Sequence, residues 1–325
     1  MDEEAIFVRQ AAVMDVGCHS ALLMVARRRR RKDPEASGRW AMSPTGKVRL
    51  ALHETLTGDG RVNTRGIRSV QRAVARLSES EQGGSAVFAF ATSVIRDAAN
   101  RDEVIGRVAD TTGIHLRFLP GREEARLAYI AAGCWLGDRS GPLLVLDIGG
   151  GTVEVAYGDD QEPAQVHSLP LGARTVTRAL LPGGALPKKR NLQAMRQHMR
   201  EVLESVPLPV VGPGVNVVAS SKTFLQLAKL AATLERPTRA PAHLTLSSVR
   251  TAVTLLAHTD VRRRGDLPGI SRHRAEQSLA GAVIAEALME ACQVREAQIC
   301  PWSTREGLLL ERIGASRGRR SGRTF

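Results

Sequence analysis

The sequence VLDIGGGTVEVAYG at residues 145–158 carries an apolar run into Asp147, then through Gly149, Gly150, Gly151 and Thr152, and out again along Val153, Glu154, Val155 and Tyr157. The alternation after the glycines has a period of two. It predicts a strand, loop and second strand rather than the strand–loop–helix of Walker-type or dinucleotide loops. Three glycines allow positive φ and close approach, so several N–H groups can converge on phosphate oxygens. An acid beside such a loop is a candidate ligand for a divalent metal. A plain β-turn between two strands carries the same triplet, and the triplet alone does not separate the two readings.

The pattern occurs twice. AAVMDVGCHSALLMVA at residues 11–26 repeats the order of apolar strand, acid (Asp15), aliphatic residue, Gly17, small polar turn (Cys18, His19, Ser20) and second apolar strand, 132 positions before its counterpart. Two copies a domain apart predict duplicated halves. Paired hairpins that hold a nucleotide or polyphosphate resemble the actin-like superfold of sugar kinases, heat-shock chaperones and actin: two α/β domains with ribonuclease H-like halves.

Further segments narrow the resemblance. DVG (15–17), KVRLA (47–51), FATSVIRDAAN (90–100), GREEARL (121–127), VLDIGGGTVEV (145–155), SLPLGA (168–173), ASSKTF (219–224), PGISRHRA (268–275) and ICPWSTREG (299–307) follow one another in the order and spacing of the exopolyphosphatase and guanosine pentaphosphate phosphatase (Ppx/GppA) family. The chain is similar to its shorter, two-domain members of actinobacterial type. The resemblance implies release of terminal orthophosphate from inorganic polyphosphate, with guanosine pentaphosphate as a second substrate, Mg²⁺ as cofactor and a homodimer. It also implies an N-terminal domain at residues 1–123, rejoined by 303–325, and a C-terminal domain at 124–302.

Phosphoanhydride hydrolysis needs an in-line water, an acceptor for its proton and neutralisation of the phosphate oxygens. The resemblance maps the catalytic base onto Glu124. The adjacent Glu123 suits a first-turn acid that complements the helix dipole, a role open to Glu124 as well. Asp147 and Glu154 correspond to the metal carboxylates, and Asp15 is a further candidate from the first hairpin. Arg96, beside Thr92, corresponds to the arginine at the phosphate, where its planar fork suits a terminal phosphoryl group; a surface ion pair with Asp97 or Asp102 is the alternative. Gly17, Cys18, His19, Ser20, Thr92, Gly149, Gly150, Gly151, Thr152, Ser221 and Lys222 are the expected substrate contacts.

Two departures stand out. The family pattern Gly-Ser-Asn-(Ser or Thr) is replaced by Gly17-Cys18-His19-Ser20. Cysteine is a poorer hydrogen-bond donor than serine and histidine titrates near neutrality, which implies weaker phosphate binding or an altered pH dependence. Ser220, Ser221 and Lys222 stand where many relatives have a glycine-rich turn. These departures motivate an alternative, a catalytically weakened polyphosphate-sensing member. A kinase would need a base pocket and an acceptor site, and no residues suggest either.

Composition bounds the rest. The 325 residues are 43% hydrophobic and carry a formal charge of +13, which suits an anionic partner such as polyphosphate. With 3% aromatic residues and no zinc-finger, helix-turn-helix or RNA-recognition signature, specific nucleic-acid reading is not expected. Basic clusters at 27–32, 188–190, 262–264 and 317–323 read as solvated loops or tails. The acidic N-terminus lacks the basic and apolar regions of a signal peptide, no apolar run reaches spanning length, and the four cysteines show no metal-ligand spacing; a cytoplasmic, reduced protein is expected.

Helices are predicted at 67–77, with Ile67, Val70, Val74 and Leu77 on one face, at 100–113, opened by a capping box of Asn100 and Glu103 and stopped by Gly113, and from Gly121. Strands are predicted at 85–93 and 114–118, an exposed excursion at 27–46, and a mostly helical C-terminal half with one clear strand at 215–220.

Overall fold

A computed structural model describes residues 10–28, 40–80, 87–137, 141–181, 187, 189–234 and 242–314. Its chain divides into two compact units, the described parts of Met1–Pro120 with Leu308–Phe325, and of Gly121–Gly307.

In the first unit the apolar runs either side of the Asp15–Ser20 segment form an antiparallel hairpin, β1 (Gln10–Val16) and β2 (Ser20–Arg28). β3 (Trp40–Arg49), α1 (Thr64–Glu79), β4 (Val87–Ala91), α2 (Ser93–Arg96), α3 (Arg101–Thr112) and β5 (Arg117–Phe118) follow. The sheet order is β3-β2-β1-β4-β5, with β4 parallel to β1. The stripe of Ile67, Val70, Val74 and Leu77 on α1 is buried, in one core with Leu23, Val25, Ala91 and Ile95. Each such aliphatic side chain contributes roughly 1.5–3 kcal/mol on leaving water.

The second unit repeats that plan. α4 (Gly121–Leu136) leads into β6 (Leu143–Ile148) and β7 (Val153–Gly158), an antiparallel hairpin in which Asp147 stands opposite Glu154. β8 (Gln165–Leu169), α5 (Ala173–Leu180), α6 (Lys189–Glu204), β9 (Asn216–Ser220), α7 (Ser221–Leu234), β10 (His243–Thr245), α8 (Leu246–His258), α9 (Val261–Arg264), α10 (Ser278–Ala291) and β11 (Glu296–Ile299) follow, and α11 (Thr304–Arg312) begins in this unit and passes into the first at Leu308. Strand order β8-β7-β6-β9-β11-β10 matches the first sheet with one antiparallel strand added at an edge. α10, apolar on nearly every side, is the buried spine of this unit and packs against α5, α6, α7 and α8. The two sheets, with this shared order, are the halves of an actin-like fold.

Several sequence expectations need correction. Residues 40–46 of the expected excursion belong to β3, while 29–39 lie outside the described residues. β3 is an edge strand, and Pro44 sits at a register irregularity where a missing N–H costs no ladder bond. The strand expected at 85–93 is described only for Val87–Ala91, since Thr92 caps the short helix α2. That at 114–118 shrinks to Arg117–Phe118. The C-terminal half contains β8, β10 and β11 besides β9, each too short to show a period. Asn100 is the N-cap residue of α3, but no capping box forms: its side chain bonds both backbone groups of Val62 and donates to Glu103. Of the basic cluster at 262–264, Arg264 is buried, its Nε donating to the carbonyls of Leu256 and Thr259. The clusters at 29–32 and 317–323, Lys188 and the N-terminal nine residues lie outside the described residues. No helix among the described residues is long and apolar enough to cross a membrane.

Candidate functional site

In the second unit the triglycine loop is held from one side. Gly149 N–H donates to Thr152 O at 2.9 Å, closing the turn. The carbonyls of Gly149, Gly150 and Gly151 then accept from the backbone N–H groups of Ala173, Arg174 and Thr175, and Gly172, at the start of α5. A trans peptide points its N–H opposite to its C=O, and no peptide among the described residues is cis. The amides of Gly150, Gly151 and Thr152 therefore face away from α5, side by side, which is the arrangement an anion needs. The positive φ expected of these glycines is absent. Smallness is what the loop requires: a Cβ on Gly172 would stand 2.2–2.4 Å from the backbone of Gly150 and Gly151. The Arg174 guanidinium lies over Gly150, where an added Cβ would meet Nη1 at 3.0 Å.

Asp147, at the end of β6, is buried, and its Oδ2 accepts from Ser220 Oγ at 2.7 Å and Ser303 Oγ at 2.6 Å. The parallel register of β6 with β9 puts Ser220 beside Asp147. Ser303 arrives through a half-formed capping box at the start of α11: Glu306 accepts from the Ser303 N–H at 2.8 Å, which frees the hydroxyl for Asp147. Burial raises the Asp147 carboxyl above its ordinary range, against the two serines and the charges of Arg305 and Arg274.

Glu154, across the hairpin, accepts from Ser168 Oγ at 3.1 Å and is 5% exposed. Burial first, then the charges of Glu124 and Asp147, hold it well above the usual carboxylate range, opposed by bonds from Thr152 and Ser168. The first turn of α4 comes this close because Gly121 has no side chain; a Cβ there would meet Ser168 Oγ at 2.1 Å. Within that turn Glu123 is taken by Arg126, through bonds of 2.8 and 2.9 Å, while Glu124 is the acid whose charge is felt at Glu154. Asp147, Glu154 and Glu124 carry the hard oxygen donors that a divalent cation of the Mg²⁺ type takes, and a cation among them would offset the part of the Glu154 shift that comes from its two acidic neighbours.

At the end of β9, Ser221 has φ 87°, a region that costs a non-glycine residue about 1–3 kcal/mol. Its Oγ is buried and meets no hydrogen-bond partner among the described residues. The glycine-rich turn of many relatives would sit there without strain. Lys222 beside it is exposed.

The first unit holds the other expected residues. Gly17 N–H donates to Ser20 O at 3.0 Å, and a Cβ on Gly17 would lie 3.8 Å from both Asp15 Oδ1 and Thr92 Oγ1, so these three residues meet at one loop. Cys18 is buried, while His19 and Ser20 are half-buried. Arg96 is 16% exposed, donates Nη1 to Leu119 O at 3.2 Å and pairs through Nε with Asp97 at 3.2 Å.

Sequence reading missed Ser168, Arg174 and Ser303. Ser303 had a signal in the Ser-x-x-Glu of STRE, whereas Ser168 and Arg174 reach the site through strand pairing and helix docking that no local pattern announces.

Fold and site together define a two-unit actin-like protein with an acidic cluster beside an anion-oriented glycine loop. The chain matches the Ppx/GppA phosphatase family over residues 42–315, and it belongs to that family. It is 39% identical to an uncharacterised protein of Streptomyces coelicolor over 313 residues, covering 94% of this chain and 90% of that one. It is 36% identical to Exopolyphosphatase 1 of Mycobacterium leprae over 307 residues, covering 93% and 88%. Among solved structures, the Ppx/GppA family member of Aquifex aeolicus superposes with a TM-score of 0.78 at 22% identity, covering 94% of this chain and 98% of that one.

Proposed function

We propose that this protein is an exopolyphosphatase: it releases terminal orthophosphate from inorganic polyphosphate, and converts guanosine pentaphosphate to the tetraphosphate by the same attack. Glu124 takes the proton of the attacking water. Asp147 and Glu154, with Asp15, hold Mg²⁺, which when bound neutralises phosphate oxygens. The amides of Gly150, Gly151 and Thr152 and the loop of Gly17, Cys18, His19 and Ser20 cradle the phosphates, with Thr92, Ser221 and Lys222 as further contacts. Arg96 serves the terminal phosphoryl group after exchanging its Asp97 pair for substrate. The protein acts in the cytoplasm as a homodimer.

The observation that carries this reading is the Asp147, Glu154 and Glu124 cluster beside amides turned away from α5, together with 36% identity to a protein named Exopolyphosphatase 1. The engagement of Glu123 by Arg126 supports Glu124 over its neighbour as base. Orthophosphate release from short and long polyphosphate and from guanosine pentaphosphate, with and without Mg²⁺, tests it. Expected is Mg²⁺-dependent release from all three. Absence of release from every substrate, with polyphosphate still bound in calorimetry, would make the protein a polyphosphate-sensing member instead.

A further inference from the structure

The residues that break the family pattern in the first loop are brought together with a third. Cys18 Sγ lies 3.5 Å from His53 Nδ1, the rings of His19 and His53 meet edge to face with centroids 4.8 Å apart, and the ligand atoms of the three all lie within 4.8 Å of one another. His53 is 35 positions from Cys18, so the fold makes this cluster and no local spacing in the sequence announces it. Backbone bonds fix it. Leu50 N–H donates to His19 O at 2.8 Å and Leu52 N–H to Cys18 O at 3.0 Å, seating the 3₁₀ turn Leu52–Thr55 directly on the loop.

From this juxtaposition we infer a binding site for a borderline-soft divalent transition metal of the Zn²⁺ class, with Cys18, His19 and His53 as ligands. Thiolate and imidazole donors select such ions over Mg²⁺, which takes oxygen. Tetrahedral bonds of about 2.0–2.3 Å place ligand atoms about 3.3–3.6 Å apart, the spacing the Cys18–His53 pair already has. Three protein ligands leave a fourth position for water or a phosphate oxygen. A carboxylate of the kind that orients ligating imidazoles stands near His53: its Nε2 is 3.8 Å from Glu54 Oε1, beyond hydrogen-bond length, while Nδ1 faces the thiol. The molecule then carries a soft-donor site in its first unit and a hard-oxygen site in its second. The inference stands independently of the polyphosphatase reading, because it is read by metal binding.

The test is titration of the metal-stripped full chain with Co²⁺, then Zn²⁺, in millimolar Mg²⁺. Expected is one equivalent of Co²⁺ with an intense thiolate-to-metal absorption in the near ultraviolet, displaced by Zn²⁺. Cys18→Ser should abolish that band with Cys134, Cys292 and Cys300 in place. His53→Gln should weaken binding on the order of 10²-fold, and Glu54→Gln about tenfold. Unchanged circular dichroism in each variant keeps a lost site apart from a lost fold. A wild type without the band, a band that survives Cys18→Ser, or equal affinity in His53→Gln would each overturn the site.

Discussion

Hairpin β1–β2 and hairpin β6–β7 turn alike. Gly17 N–H donates to Ser20 O at 3.0 Å and Gly149 N–H to Thr152 O at 2.9 Å, and each first strand has a parallel partner on its other side, β4 or β9. What each carries differs. β6 and β7 set Asp147 opposite Glu154, with Ser220 and Ser303 on the first acid, Ser168 on the second and Glu124 nearby. β1 and β2 set Asp15 opposite Leu22, and the loop gathers a thiol and two imidazoles. A repeated backbone thus supplies two turns closed in the same way, and the residues around them decide that one gathers carboxylates and hydroxyls and the other a thiol and two imidazoles.

The two halves should also respond differently to substitution at their loops. The largest effect is expected where α5 braces the second loop. Gly172→Ala drives a methyl group into the backbone of Gly150 and Gly151 and should destabilise the second unit by about 3 kcal/mol, lowering its melting temperature by roughly 6–12 °C. Gly17→Ala meets only Ser20 O at 3.3 Å and should cost under about 1 kcal/mol. Equal shifts in calorimetric scans of the two variants would break the contrast.

A smaller effect of opposite sign is expected one step beyond each parallel strand. Ser221, at φ 87°, stands where Thr92 has an ordinary extended backbone at φ −99°. Ser221→Gly should relieve strain and stabilise by about 1 kcal/mol, whereas Thr92→Gly should destabilise by about 0.5–1 kcal/mol through added freedom of the unfolded chain. Denaturation midpoints that move the same way in both would show that Ser221 is not strained.

The hairpins were legible in the sequence because short apolar runs are interrupted twice by the same acid, aliphatic residue and glycine turn, and because Val153, Val155 and Tyr157 alternate after the second turn. The acids at their ends were legible for the same reason, Asp147 and Glu154 being tied by register. β3 was illegible because an edge strand exposes polar residues and tolerates Pro44, which makes its sequence look like a loop. β8, β10 and β11, at three to five residues, were too short for a period to develop. His53 and Ser168 join their clusters through pairing and docking from distant positions, so no local pattern holds them. The positive φ expected of the three glycines is absent: their carbonyls are tied to the start of α5, and what that position requires is the small size of Gly172.

Glu124 is the proposed acceptor of the proton from the water that attacks the terminal phosphate. Glu124→Gln keeps the size of the side chain and removes its basicity. The decisive measurement is orthophosphate release from long-chain polyphosphate at saturating substrate and Mg²⁺, wild type against this variant, with polyphosphate affinity followed by calorimetry. The account predicts turnover lower by about 10²–10⁴-fold with affinity little changed. Turnover within a few-fold of wild type would contradict it.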